Sequence, residues 1–581
     1  MIRNLLSQRS VAALILLLAV SVIAVYENHS QLSGWLEDAT GETNLFQQMK
    51  GLVRRVQQRP LHTEDMVPVA YTGVYPYGAN TFFEQEVEEQ KLRRSMEMLR
   101  DAGVKWVRQQ FPWNRIEPEA KGRFSGPDGS TWQPYDRIVA LAYEYGLELV
   151  VRLDIPPSWA KKDHLDFRSP PSDLADYGDY VAAVVQRYKG RVRYYQIWNE
   201  PNLFFEWGDT PDAAEYVRLL RLAYTRAKAV DPQAVILSAP LSPTLGTPDG
   251  LNESDLIYLQ MMYDAGAKDF FDILSAQGYG LWTGPGDRRA DPSQVNFSRV
   301  QLLREIMAQN SDAQKAIWIS EMGWDAVPQD FQGIALHGRV TEEQQARYTA
   351  AAYRRIQEEW PWVGVVFYWF FRKVAEEDRS QEDFYFRLVD PDFTPMPVYQ
   401  ALQRVAKEQP VVYTGWHQAD HWGLIYDGAW QKREDENGLL KSGTISYVAQ
   451  KAGSTLSFVF KGSTLALAVA KSPQGGHLKV EIDESPLPAN RIARSASGEA
   501  VVDLHDSEQQ AAQVMIATGL ANTEHKVTFT ALGDGEVVID GIVVTSRQTT
   551  TQQDVLAVGL IAGVLVALTL AFRSMRATDR S

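Results

Sequence analysis

The sequence predicts an α/β protein, a (β/α)8 TIM barrel followed by a β-sandwich, with a transmembrane segment at each end. Three observations support this fold class. Strands and helices alternate from Val69 onward at the spacings of a parallel barrel. After Pro410 the pattern changes to short alternating strands separated by Gly, Asn, Asp and Ser turns. Uncharged apolar runs occupy residues 11–26 and 555–572.

The N-terminal apolar run, Val11 to Tyr26, follows Arg3 and Arg9. It fits either a secretory signal or a short membrane anchor. Because the sequence Ala24-Val25-Tyr26-Glu27 is a poor cleavage site, an uncleaved anchor is favoured. The polar residues 27–66 that come next are expected to form a stalk.

The C-terminal apolar run, Val555 to Phe572, is just long enough to span a bilayer and precedes Arg573, Arg576 and Arg580. A buried core helix is the alternative, but the run follows a polar Thr/Gln linker at the end of the chain. Since basic residues flank both runs on the terminal side, both termini are expected in the cytoplasm and the domains between them outside the cell.

The predicted organisation follows from these boundaries. It comprises a cytoplasmic N-terminus (1–10), a membrane helix (11–26), a stalk (27–66), the barrel (67–409), the β-sandwich (410–547), a linker (548–554), a second membrane helix (555–572) and a basic cytoplasmic tail (573–581).

Composition narrows the classes of function. A net charge of −15 argues against a nucleic-acid partner, because backbone phosphates would be repelled. The chain has no cysteine, which removes thiol catalysis and thiolate metal sites. Its 16 Trp and 25 Tyr suit either sugar stacking or the packing of a large barrel.

The barrel elements are predicted in order from hydrophobic patterning and turn signals. The strands are expected at 69–75, 104–109, 147–153, 192–198, 234–239, 273–277, 317–320 and 363–370. The helices are expected at 84–102, 135–145, 174–188, 213–229, 254–265, 298–309, 342–358 and 397–407.

The β-sandwich is predicted from seven short strands, at 442–448, 455–460, 464–470, 477–482, 514–516, 525–530 and 536–544. With Gly519-Leu520 and residues 525–527 in its late strands, it resembles the galactose-binding-like modules fused to many glycosidases. A role in sugar binding and a role as a spacer packed on the barrel both stay open.

Two buried strands each deliver a glutamate to a chain turn. Tyr194 to Ile197 leads into Trp198-Asn199-Glu200-Pro201-Asn202, and Ala316 to Ser320 leads into Glu321-Met322-Gly323-Trp324. The interval of 121 residues accommodates two strand-helix units and the strand that follows. The two glutamates are therefore expected on separate strands of one barrel.

These two segments, residues 197–202 and 319–324, resemble the acid/base and nucleophile strands of the retaining glycoside hydrolases built on (β/α)8 barrels, clan A. The Trp-Asn-Glu-Pro-Asn form is most similar to families 39 and 5, and the resemblance covers roughly residues 69–408. It implies a glycosidase that cleaves O-glycosidic bonds, with β-linkages expected, of an oligo- or polysaccharide through two glutamates.

Within the resemblance, Glu200 corresponds to the general acid/base and Glu321 to the nucleophile. Asn199 corresponds to the residue that bonds the sugar 2-hydroxyl, and Arg108 to the cation that keeps the nucleophile ionised. Tyr279 corresponds to the tyrosine that donates to the nucleophile. For each residue a surface or packing role is the alternative.

Further substrate contacts are expected from residues near strand ends. Gln277 stands where histidine is common, which leaves the substrate class open. Trp369 resembles the tryptophan at the floor of the −1 subsite. Trp113, Trp159, Trp282 and Trp324 fall on strand-end loops, where each is either a stacking platform or simple packing, and Asp154 is either a substrate contact or a turn residue.

No metal cluster and no phosphate-binding glycine loop is visible in the sequence, so no cofactor is expected. The expected partners are a carbohydrate and, through the terminal helices, a membrane. A transglycosylase on the same scaffold and a non-catalytic glycan-binding surface protein are the alternatives. The sequence leaves the sugar, the linkage and the oligomeric state open.

Overall fold

The computed structural model describes residues 59–546, except for 128, 162–167, 435–444, 487–492 and 495–499, and a few residues between 36 and 51. Both predicted membrane helices, 11–26 and 555–572, lie outside these described residues. Within the described part of the chain, no helix is long and apolar enough to cross a bilayer.

The chain divides into two compact units. The larger comprises Pro60–Trp282 and Ala290–Ser546 and contains both the barrel and the sheet domain. The smaller includes the described residues before 60 together with Thr283–Arg289. Within it, Arg289 pairs with Glu42 at 2.7 Å and with Asp287 at 2.6 Å.

Eight parallel strands form the barrel. They are β1 (Tyr77–Thr81), β2 (Trp106–Pro112), β3 (Glu148–Asp154), β4 (Tyr194–Ile197), β5 (Val235–Leu237), β6 (Leu274–Tyr279), β7 (Ile317–Gly323) and β8 (Val363–Tyr368). Their order is β5-β4-β3-β2-β1-β8-β7-β6, and a parallel bridge from Leu237 to Ile273 closes the ring. The predicted TIM barrel is confirmed.

Eight helices alternate with these strands. They are α1 (Glu89–Asp101), α2 (Gln133–Glu144), α3 (Leu174–Tyr188), α4 (Ala213–Val230), α5 (Asp255–Asp264), α6 (Val300–Gln309), α7 (Glu342–Glu359) and α8 (Pro397–Val405). Side-chain caps fix several starts: Asp212 accepts from the Glu215 backbone N–H, and Thr341 forms a capping box with Gln344.

The first strand was predicted wrongly. Residues 69–75 form turns and loop, and β1 lies at Tyr77–Thr81 instead. The carbonyl oxygens of Tyr71 and Tyr75 accept the indole N–H groups of Trp318 and Trp106 at the start of the barrel strands. The β-branched and aromatic run therefore caps the amino-terminal end of the barrel, although its composition favours a strand.

The sheet domain spans residues 411–545 and has its own core. Its strands are β9 (Val411–Val412), β10 (Gly415–Gln418), β11 (Ile425–Asp427), β12 (Trp430–Glu434), β13 (Ile445–Ala449), β14 (Thr455–Lys471), β15 (His477–Ile482), β16 (Ser485–Pro486), β17 (Ala493–Arg494), β18 (Ala500–Asp503), β19 (Gln510–Ala531) and β20 (Val537–Thr545). The pairing is mainly antiparallel, as the β-sandwich prediction requires.

Two breaks predicted between sandwich strands are absent. The strands expected at 455–460 and 464–470 form the continuous β14, and those at 514–516 and 525–530 belong to β19. A register shift follows Gly462 in β14. A Cβ at Gly462 would lie 2.6 Å from Val544 Cγ1, so this glycine permits close approach of β20 at a bulge and does not make a turn.

Two histidines, the buried His417 and the half-buried His421, lie where the barrel meets the sheet domain. His417 and His421 line a cavity of about 30 Å³ together with Trp360, Pro361 and Tyr413. The His417 ring Nε2 lies 2.9 Å from the Tyr413 carbonyl oxygen, and the two imidazole rings are 4.9 Å apart. Burial lowers the pKa of His417 to about 4.

Candidate active site

The sequence-predicted polar residues meet at the carboxyl ends of the barrel strands. Arg108 lies in β2, Gln277 and Tyr279 in β6, and Glu321 in β7. Glu200 follows β4 by three residues. Because parallel strands all end at one face of a barrel, Glu200, Gln277, Tyr279 and Glu321 line one cleft, which has a volume of about 790 Å³. Arg108 does not line this cleft but bonds Glu321.

Glu321 is buried, and donors surround both of its carboxylate oxygens. Oε1 accepts from Arg108 Nη1 at 2.7 Å. Oε2 accepts from the Tyr279 hydroxyl at 2.8 Å and from Gln277 Nε2 at 3.0 Å. A buried carboxylate requires such pairing, and these donors hold the Glu321 side chain in one orientation beside the cleft.

Arg108 is buried and every nitrogen of its guanidinium has a partner. Nε donates to Gln196 at 2.8 Å, Nη1 also donates to Asn80 Oδ1 at 2.8 Å, and Nη2 donates to Asn199 Oδ1 at 2.9 Å. The Arg108 guanidinium fixes the Asn199 side chain beside the cleft, and its positive charge faces Glu321.

Glu200 has the opposite electrostatic environment. Burial raises its pKa, and the negative charges of Glu206 and Glu321 raise it further, to about 8. A hydrogen bond from Gln277 opposes this rise. At neutral pH Glu200 therefore carries a proton, as a general acid requires.

A single amide group sets the spacing between the two glutamates. Gln277 Nε2 donates to Glu200 Oε1 at 2.7 Å and to Glu321 Oε2 at 3.0 Å. These two oxygens are therefore at most 5.7 Å apart, the two bond lengths laid end to end. Retaining glycosidases hold their carboxyl groups about 5–5.5 Å apart, whereas inverting enzymes need about 6.5–9.5 Å.

The backbone that presents Glu200 is strained. Trp198 has φ +72° and Glu200 has φ +40°, and both are non-glycine residues in the left-handed region. The Glu200 N–H donates to the Pro240 carbonyl at 3.0 Å, which holds the turn. Strain of this kind persists where the surrounding structure imposes it, often at functional sites.

The predicted tryptophans differ in their exposure and in whether they line the cleft. Trp369 lines the cleft, and Trp282 is exposed beyond it. The half-buried Trp159 donates to the Glu117 carbonyl. The prediction that Trp113 and Trp324 contact substrate needs correction, because both rings are fully buried and neither lines the cleft.

Packing accounts for these buried rings. Trp113 stacks on Tyr180 with 5.2 Å between ring centroids and donates to Glu117 Oε2 at 2.6 Å. Trp324 packs behind Gly280, where a Cβ would lie 2.1 Å from its Nε1. Asp154 does line the cleft, paired with Arg152 at 2.9 Å.

Several cleft residues were missed by the sequence reasoning. Glu206 lies six residues after Glu200 in the same loop, and Arg168 forms an ion pair with it. Burial raises the pKa of Glu206, and the charge of Arg168 opposes this. Asn80, which bonds Arg108, was hidden because the first strand was placed too early.

The loops after β7 and β8 contribute further polar groups. The His337 backbone N–H donates to Glu382 Oε1. The His337 ring Nδ1 lies 2.7 Å from the same oxygen. Lys373 donates to Asp383 at 3.2 Å. Among the residues that the structure describes, no group of three or more His, Asp or Glu side chains is arranged to hold a metal ion.

No family model matches the chain. Solved structures resemble it, among them a family 39 glycoside hydrolase from the gut symbiont Bacteroides cellulosilyticus WH2, at 18% identity over 81% of this chain and 82% of that chain, with a TM-score of 0.45. A monomeric beta-xylosidase from Caulobacter crescentus CB15 is 14% identical over 81% of this chain and 98% of that chain, with a TM-score of 0.43.

A third structure, GH5_18 from Streptomyces cattleya, is 14% identical over 59% of this chain and 82% of that chain, with a TM-score of 0.45. Two of these three structures bear the names of glycoside hydrolase families 39 and 5, the families that the two glutamate motifs resemble.

Proposed function

We propose that this protein is a retaining glycoside hydrolase. The observation that supports this best is the pair Glu200 and Glu321, held within 5.7 Å by one Gln277 amide yet placed in opposite electrostatic environments. Two carboxyl groups across one cleft, one bonded to a guanidinium and the other near negative charges, suit acetal cleavage, where a proton and a nucleophile act on the same bond.

In the first step, a Glu321 oxygen attacks the anomeric carbon and the bond to the leaving oxygen breaks. Glu200 transfers its proton to that oxygen, so the leaving group departs as an alcohol. A covalent glycosyl-enzyme ester remains. Glu200, now a carboxylate, takes a proton from water, and the water oxygen displaces Glu321 from the anomeric carbon with net retention of configuration.

Contacts of four residues support these roles. Arg108 and Tyr279 hold Glu321 in place and balance its charge before attack. Asn199, fixed by Arg108 Nη2, is placed to bond the sugar 2-hydroxyl. The Gln277 amide keeps the two carboxyl groups at the spacing of a direct displacement and cannot itself change protonation state.

The decisive experiment is hydrolysis of a panel of β-linked aryl glycosides and polysaccharides by the purified protein and by Glu321→Gln. We expect cleavage of at least one sugar, with kcat roughly 10⁴-fold or more lower in the variant. Proton NMR of the first-formed product should show the configuration of the substrate. Equal activity in Glu321→Gln, or an inverted product, would overturn the assignment.

Transglycosylation is separated from hydrolysis in the same assay. When an alcohol or a second sugar intercepts the ester, the products include a new glycoside, and the ratio of released aglycone to free sugar exceeds one. A folded protein that cleaves nothing but retains glycans on an array would instead be a binding protein.

We also propose that the barrel and the sheet domain are displayed outside the cell by the apolar segments 11–26 and 555–572. The basic residues on the terminal side of each segment support this orientation. Protease added to intact cells should then degrade the barrel while leaving a C-terminal tag intact. A protein released by high salt or alkaline carbonate would contradict the tethering.

A further inference from the structure

One charged side chain of the cleft has hydrogen-bond donors that no other group uses. Arg152, in β3, lines the cleft, and its side chain is 16% exposed. Its Nε lies 2.9 Å from Asp154 Oδ2 without forming a hydrogen bond. Among the residues that the structure describes, Nη1 and Nη2 of Arg152 have no hydrogen-bond partner either. Arg108 differs, because each of its nitrogens has a partner.

The unpaired donors of Arg152 indicate that it binds a ligand. A guanidinium carries five N–H donors, and buried donors in proteins are normally paired. The Arg152 side chain borders the cleft, so the partner that remains for its terminal N–H groups is water or a bound molecule. Arg108, whose nitrogens all have partners, instead supports Glu321.

The charges around Arg152 indicate that its ligand is neutral. Burial lowers the pKa of Arg152, but nearby negative charges raise it by more. These charges belong to Asp154, Glu206, Glu321 and Glu84. Since carboxylates already balance the guanidinium, an anionic ligand is not required, and hydroxyl oxygens are sufficient acceptors for its N–H groups.

Strand register places Arg152 near Asn199. Val150, two residues before Arg152 in β3, pairs with Arg108 in β2, so Arg152 lies one inward-facing position nearer the carboxyl ends of the strands. Asn199 bonds both Arg108 and the Glu206 carboxylate. The charge of Glu206 also acts on Arg152, so Arg152 and Asn199 border the same part of the cleft.

The partners of the acid and of Asn199 indicate which hydroxyl reaches Arg152. The Glu200 carboxyl is bonded from the side of β5 and β6, by Ser242 and Gln277. The Asn199 amide is held from the side of β2 instead. The leaving oxygen at C1 therefore lies towards β5, and the 2-hydroxyl lies towards β2 and β3. The next hydroxyl on the ring, at C3, comes nearest to Arg152.

We propose that Arg152 is a specificity-determining residue that binds the 3-hydroxyl of the sugar whose glycosidic bond is broken. The proposal rests on the proposed function for the position of that sugar. It implies that the substrates carry a neutral sugar with a hydroxyl group at C3. A sugar that lacks this hydroxyl leaves the guanidinium without a partner and is cleaved less efficiently.

The test compares the aryl glycoside that the panel selects with its 3-deoxy analogue. In the wild type we expect kcat/KM to be roughly 10- to 100-fold higher for the parent compound, the effect of a hydrogen bond to a charged group. Arg152→Met should bring this ratio near one. Arg152→Lys, which keeps a positive charge beside Asp154, should give an intermediate ratio. Because the ratio is taken within one protein, general effects of a substitution cancel.

Lys373→Met is the matched control. Lys373 is another cation that lines the cleft, but it lies in the loop after β8 and donates to Asp383 at 3.2 Å. Its ratio of parent to 3-deoxy compound should equal that of the wild type. A wild-type ratio near one, or a ratio that Arg152→Met leaves unchanged, would overturn the proposal.

A disaccharide of the same sugar tests the other side of the bond. If Arg152→Met lowers kcat/KM for the disaccharide more than for the aryl glycoside, while the 3-deoxy ratio stays that of the wild type, Arg152 faces the leaving group and the proposal is wrong. Equal losses on these two substrates, with the 3-deoxy ratio near one in the variant, support the assignment to the 3-hydroxyl.

Calorimetric titration of Glu321→Gln separates this proposal from the proposed function. The ligands are p-nitrophenyl β-D-glucoside, p-nitrophenyl β-D-xyloside and their 3-deoxy analogues. If no glycoside is cleaved but binding is weakened both by loss of the 3-hydroxyl and by Arg152→Met, catalysis fails and the assignment of Arg152 stands. If cleavage depends on Glu321 but the 3-deoxy ratio is equal in all proteins, the proposed function stands and the assignment of Arg152 is wrong.

Discussion

Glu200 is the residue whose ionisation is expected to limit turnover at high pH. Burial and the charges of Glu206 and Glu321 raise its pKa to about 8, so the proton needed by the leaving oxygen is lost above that pH. We expect kcat/KM for an alkyl glycoside to fall as pH rises through about 8. A profile that is flat to pH 10 would contradict this.

A leaving group that needs no proton provides the control. With a dinitrophenyl glycoside, Glu200→Ala should retain the first step, and azide should restore turnover by attacking the glycosyl-enzyme without a base. For the alkyl glycoside the same variant should stay inactive. Equal losses on both substrates would indicate that the acid lies elsewhere.

The site residues show which predictions a sequence supports. Glu200, Glu321 and Tyr279 come together because a position near the end of a parallel strand fixes the face of the barrel, and Arg108 reaches Glu321 from within its strand. The direction of a side chain on a loop is set by tertiary packing, which explains why Trp324 points into the core.

At the scale of single elements, Gly280 leaves the space that the Trp324 indole occupies behind the cleft. A Cβ there would lie 2.1 Å from Trp324 Nε1 and 2.2 Å from its Cε2, and the buried indole has no room to retreat. Gly280→Ala should therefore destabilise the protein by about 1–3 kcal/mol. The midpoint of urea unfolding measures this, and activity should fall as Tyr279 shifts.

Gly126→Ala serves as the comparison for Gly280→Ala. Its Cβ would meet only Thr131 Cγ2, at 3.8 Å, which is ordinary contact. The free energy of unfolding should change by less than about 0.5 kcal/mol. Equal effects of the two substitutions would show that loss of glycine flexibility, and not the collision with Trp324, is responsible.

Elements with strong periodicity were predictable and the first strand was not. Glycine and asparagine in β1 weaken its strand propensity, yet Gly78 lies where a Cβ would meet the Phe367 ring at 2.6 Å, and Asn80 bonds Arg108. Close packing and hydrogen bonding inside the barrel therefore require this glycine and this asparagine in β1. Such demands arise from distant strands and leave no local signal.

For the molecule as a whole, His417 and His421 predict that the junction between barrel and sheet domain weakens in acid. The pKa of His417 is lowered from 6.5 to about 4, so its contribution to stability is present above pH 6.5 and is lost as pH falls through about 4. We expect the melting temperature to drop across this window.

His417→Gln should make that decline shallower, because glutamine takes up no proton. The slope of melting temperature against pH is the quantity to compare, since the substitution can alter the absolute value. His421 also has a lowered pKa and should contribute a second part of the slope. A slope identical in wild type and variant would exclude His417 as a cause.

The strained turn at Trp198 and Glu200 has an evolutionary consequence. Positive φ angles and a carboxyl group whose pKa is raised from 4.5 both cost folding free energy, and above about pH 8 Glu200 adds a buried charge. Selection for activity must therefore oppose selection for stability at this position. Descendants released from catalysis are expected to lose Glu200 first and to become more thermostable when they do.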